Sequence, residues 1–120
     1  MRAIEKKIMD TIKAGKVGLY RLSCRDSVEI SENEIKVYLW DNLIFYKSGD
    51  VIRLSSCGWV SNTTKSRLNA LLSDYQLSIV QKKYTWKLTS SLFFKFNNSV
   101  VSSVPFFDGM EIDIKNFEIK

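Results

Sequence analysis

Apolar residues open the chain at spacings of three and four. Met1, Ile4, Ile8 and Ile12 recur with Met9 beside them, while Arg2, Lys6, Lys7, Asp10 and Lys13 surround that stripe. This spacing predicts an amphipathic helix over residues 1–15, ended by Gly15. Val17 to Leu22 read as a strand, and Cys24 to Asn33 as an acidic connection too polar to be core. From Glu34 to Leu54 the period changes to two, in IKVYLW, NLIFYK and VIRL, with turn chemistry at Asp41-Asn42 and Ser48-Gly49-Asp50. Three short strands in a meander are expected there.

A hydroxyl-rich run, Val60 to Arg67, leads into Leu68, Leu71 and Leu72 and predicts a second short helix near residues 63–73. Asn62 or Thr63 would cap it by accepting a free N–H of its first turn. Leu77 to Gln81 and Tyr84 to Leu88 flank Lys82-Lys83 as a hairpin, with Tyr84, Trp86 and Leu88 on one face. Leu92 to Phe96 and Val100 to Val104 are two further strands, the second ended by Pro105. Asp108-Gly109 turns the chain into the alternating Met110, Ile112 and Ile114. The expected fold class is α+β: an antiparallel sheet of about six to eight short strands with an N-terminal helix and a second helix. No repeat or low-complexity linker divides the 120 residues, so a single domain 1–120 is expected. Its body is residues 17–120, and the helix at 1–15 is a possible appendage.

Composition narrows the chemistry. The chain contains no histidine, which removes the usual general base near neutral pH, His-dependent triads and His-containing metal sites. Cys24 and Cys57 are the only thiols and form no CxxC pair, so cysteine and histidine cannot supply a four-ligand zinc site. Two cysteines in a chain able to bury its own core read as reduced. With no apolar run long enough for a secretory signal or a membrane span, the expected location is cytoplasmic, without a membrane partner. Cys57 before Gly58 lacks a histidine to activate it and reads as a buried small residue. Glu32, Glu34 and Asp41 share an acidic stretch without the spacing of a glycosidase or a metal nuclease. The sequence is therefore read as non-enzymatic, with no catalytic residue, metal or cofactor.

The net charge of +5 is unevenly spread. Residues 51–107 hold seven basic side chains against one carboxylate, Asp74, together with Trp59, Tyr75, Tyr84, Trp86 and five phenylalanines. Cations that neutralise phosphates and rings that stack on unpaired bases are what a nucleic-acid surface requires. Thr63, Thr64, Lys65 and Arg67 at a helix start, extended by Lys82, Lys83 and Lys87 along the hairpin, form the candidate surface. The opposing reading makes the lysines a solvated face, puts Trp59, Trp86 and the phenylalanines in the core, and has Asn69 bond to a neighbouring loop. The Thr63 to Asn69 run is not a phosphate-binding loop, because GxxxxGK[ST] is absent.

The run Ser56 to Leu71, followed by QKKYTWKL and FFDGM, resembles a domain of unknown function that recurs in small proteins of tailed bacteriophages. The matching positions are Gly58, Trp59, Thr63, Thr64, Lys65, Arg67, Asn69 and Trp86, with Asp108-Gly109-Met110 as a tail motif; Cys57 replaces a glycine often found before the Gly-Trp. The resemblance covers roughly two thirds of the chain and implies a phage protein acting in a bacterial cytoplasm. It implies no activity. Two functions follow as expectations: a phage accessory protein binding nucleic acid or a nucleoprotein through the basic surface, or a protein-binding inhibitor or modulator of a host enzyme or defence complex. The second would use the Ile4, Ile8 and Ile12 stripe or a sheet edge; otherwise that stripe packs on the protein's own sheet.

Overall fold

A computed structural model describes residues 1–120. Helix α1 (Ala3–Ala14) precedes strands β1 (Gly18–Arg21), β2 (Asp26–Ile30), β3 (Glu34–Leu39), β4 (Asn42–Ser48) and β5 (Val51–Leu54). Helix α2 (Asn62–Leu72) continues into a short 3₁₀ turn, Ser73–Tyr75. Strands β6 (Leu77–Lys82), β7 (Thr85–Phe96), β8 (Ser99–Pro105), β9 (Met110–Asp113) and β10 (Glu118–Ile119) follow. The fold is α+β, as expected, but the sheet has ten strands rather than six to eight. Its order is β1-β2-β3-β4-β5-β9-β10-β7-β6, with β8 on β7, and every pair is antiparallel except β10 with β7. No helix is long and apolar enough to cross a membrane.

The meander forms because alternate residues of each strand share one face. Val28, Val37, Phe45 and Leu54 stand in register across β2 to β5, and Leu54 continues to Met110 on β9. All five are buried, and Ile8, Leu68, Leu71 and Leu72 of the two helices join the same core. A bulge after Val37 shifts the β3–β4 register and lets the consecutive Ile44 and Phe45 both be buried.

Strand β2 lies inside the stretch expected to be a polar connection. Asp26 is buried although charged, because Arg67 of α2 reaches it from across the core, and Ser27 is buried on the other face of the strand. Helix α1 is likewise no appendage. Ile8 is buried, Ile4 and Ile12 pack against the core, and Glu5 is tied to α2. Most of the isoleucine stripe therefore packs on the protein's own body, with Ile4 and Ile12 half-buried.

Three local details differ from the sequence reading. Ser61 caps α2, its hydroxyl accepting the Thr64 N–H at 3.2 Å, because it is the residue with extended backbone before the first turn. Strand β7 runs unbroken through residues 89–94, its register with β8 shifting there, so Leu92 to Phe96 is not a separate strand. The two-residue turn after β6 is Lys83-Tyr84, one position later than expected. That leaves Tyr84 94% exposed at the tip, not beside the buried Trp86.

Candidate functional site

Arg67 is the only side chain of the candidate surface that carries a buried charge. Its Nε donates to Asp26 Oδ1 at 2.7 Å, its Nη2 to Asp26 Oδ2 at 3.3 Å, and its Nη1 to Glu5 Oε2 at 2.8 Å. All three residues are 1% exposed. Ser66 donates to Glu5 Oε2, the Arg2 backbone N–H to Glu5 Oε1, and Ser23 to Asp26 Oδ2, so the remaining lone pairs are used. No buried side-chain polar atom lacks a partner. Burial pushes the Glu5 carboxyl up, but the hydrogen bonds from Ser66, Arg2 and Arg67, with Arg67's charge, outweigh it, and Glu5 sits below the ordinary carboxylate range. Burial likewise disfavours charge on Arg67, and its bonds to Asp26 and Glu5 more than offset that, so its pKa is raised.

This arrangement corrects the sequence reading: Arg67 is a structural cation joining α1, β2 and α2, and no phosphate can reach it. Thr64 is also buried, its hydroxyl 3.0 Å from that of Ser61. Thr63 stays half-buried at the surface and accepts from Arg2 Nη1 at 3.3 Å. Asn69 bonds a strand instead of a loop, its amide donating to the Ile79 carbonyl and accepting the Ile79 N–H.

The lysines behave differently. Lys65 Nζ donates to Gln81 Oε1 at 3.2 Å, and the Gln81 amide donates to the Lys83 carbonyl at 3.3 Å, which links the first turn of α2 to the hairpin tip. Lys82, Lys83 and Lys87 are exposed. Lys82 and Lys87 face away from the helices, with Val80 opposite Lys87, so the cations surround the end of the hairpin. None of the four pairs with a carboxylate; the ion pairs elsewhere are Arg25 with Asp26, Arg53 with Glu111, and the two made by Arg67.

On the other side of the α2 start lies a cleft of about 420 Å³, bordered by Trp40, Trp59, Arg25, Asn42, Ile44 and Thr63 among others. Trp40 and Trp59 are 61% and 66% exposed, so the expectation that Trp59 is core is incorrect. Trp40 and Asp41 form the two-residue β3–β4 turn with φ of 52° and 62°. Left-handed backbone is unfavourable for a bulky L-residue, and such turns favour Asn-Gly.

The loop carrying Trp59 is held from 52 residues away. Asp108 accepts the Ser56 N–H at 2.7 Å and its hydroxyl at 2.9 Å, and the Ser56 carbonyl accepts the Trp59 N–H. The Gly58-Trp59 and Asp108-Gly109-Met110 motifs therefore meet in space. Cys57 in that loop is exposed rather than buried, its thiol donating to the Leu43 carbonyl, and both cysteines are free thiols.

Across residues 1–113 the chain matches the model of a phage protein family, and a match of that extent places it among tailed-phage proteins, as its motifs implied. The family is that of the Kyanoviridae Gp96 protein, to which this chain belongs. No curated protein and no solved structure matches it.

Proposed function

We propose that this phage protein is a non-enzymatic accessory factor that binds nucleic acid or a nucleoprotein through the basic hairpin end formed by Lys65, Lys82, Lys83 and Lys87. The observation that carries this reading is the link from Lys65 through Gln81 to the hairpin, which gathers cations distant in sequence at one end of the molecule. Unpaired lysines around an exposed Tyr84 suit phosphates and a stacked base. The outer face of the meander is different: Arg53 there pairs with Glu111 and lies over the Tyr46 ring, and Tyr46 donates to Glu34.

Titration of the purified protein against single- and double-stranded DNA and RNA at two salt concentrations tests the proposal. Binding at low salt that weakens steeply with added salt is expected, and no binding at low salt would refute it.

The alternative, a protein-binding modulator of a host factor, loses the α1 stripe but keeps a sheet edge. Leu92, Phe93 and Val100 are exposed on β7 and β8. Capture of a host protein from lysate treated with nuclease would favour that reading.

A further inference from the structure

We infer that the cleft between Trp40 and Trp59 is a nucleotide subsite, taking a flat unpaired base against the tryptophan rings and its phosphate at Arg25. The inference rests on the nucleic-acid reading for the origin of the nucleotide, but on separate residues for the site.

Three observations support it. Both rings are mostly exposed at the mouth of the cleft, and Trp40 is presented on a turn whose backbone disfavours tryptophan, so packing does not explain its place there. Arg25 is the only charged residue lining the cleft. Its Nε makes only a 3.8 Å contact with Asp26, whose two carboxylate oxygens already receive Arg67 and Ser23, so its terminal nitrogens are available to an anion. The third observation is size and chemistry: about 420 Å³ falls within the roughly 300 to 1,000 Å³ of small-molecule sites, with Ile44 in the lining and the Asn42 amide beside it.

A planar, anionic ligand able to hydrogen-bond fits that combination. The position also suits a strand, since Thr63 lines the cleft while Lys65, two residues on, reaches the hairpin. A base in the cleft would let the following phosphates run over the start of α2 toward Lys65 and the hairpin tip at Lys83.

Tryptophan fluorescence of the full chain separates the two claims. Trp86 is buried, so quenching by a bound base reports on Trp40 and Trp59. Oligodeoxythymidylate should quench saturably, duplex DNA less, and W40A and W59A should each bind the single strand roughly fivefold or more weakly. Both rings lie outside the core, so these variants retain the fold, and R25A offers a second test through weaker binding and a shallower salt dependence.

Salt-dependent binding without quenching, or with W40A, W59A and R25A all unchanged, would overturn the subsite and leave the basic hairpin standing. Adenosine monophosphate that quenches as effectively as an oligonucleotide, with K82A/K83A indifferent, would keep the subsite for a free nucleotide and remove the strand reading. Quenching by neither ligand would overturn the subsite.

Discussion

Arg67 Nε lies 2.7 Å from Asp26 Oδ1, joining residues 41 apart in sequence, and neither side chain is more than 1% exposed. Removing one member of a buried ionic group leaves the others charged and unmatched, at a cost of about 3 to 5 kcal/mol. Arg67→Ala should lose that much stability in urea denaturation. Replacing Arg67, Glu5 and Asp26 together with apolar residues of similar volume should lose far less. A loss near 1 kcal/mol for the single variant would show that the ion pairs do not anchor α1 and α2 to β2.

The same group sets the acid response. Glu5 has a folded pKa below its unfolded one, so its contribution to stability is fully present above about pH 5 and is lost as the pH falls through the folded value. Arg67, with its pKa raised, stays protonated throughout. The urea midpoint should fall as the pH drops below about 5, and Glu5→Gln should lower stability at neutral pH while flattening that decline. An identical decline in Glu5→Gln would assign the acid sensitivity elsewhere.

The Trp40-Asp41 turn predicts a conflict between stability and function. Asn-Gly suits a turn with two left-handed residues, so W40N/D41G should raise stability by about 1 kcal/mol. The same change removes a ring from the cleft and should reduce quenching by single-stranded oligonucleotide. Paired denaturation and fluorescence titrations check both effects, and a destabilised double variant would show that Trp40 contributes more to packing than its exposure implies.

Much of the architecture is legible from periodicity. The stripe at Ile4, Ile8 and Ile12, the alternation from Glu34 to Leu54, and Pro105 at the end of β8 each mark an element through local chemistry. Strand β2 is hidden because Asp26 and Ser27 look like loop residues until Arg67 is known to lie against Asp26. Charged side chains are almost never fully buried unless paired, so Arg67 reads as a surface cation until Glu5 and Asp26 are placed beside it. The two-residue β10 is too short to show a period, and its place between β9 and β7 comes from pairing with both. Of the candidate site, Lys65, Lys82, Lys83 and Lys87 are legible as cations near exposed aromatics. The cleft is not, since Trp59 looks like a core residue and nothing singles out Trp40 until the two turns that present them are seen.

Lys65, Lys82 and Lys83 are proposed to meet phosphates, and the buried Arg67 is not. The slope of log affinity against log salt concentration counts the phosphates neutralised, at roughly 0.7 per contact for a single strand. For single-stranded DNA, wild-type protein should show a steep slope, and Lys65→Ala, Lys82→Ala and Lys83→Ala should each make it shallower by about 0.7. No binding at low salt, or a slope unchanged when all three lysines are replaced, would contradict the account.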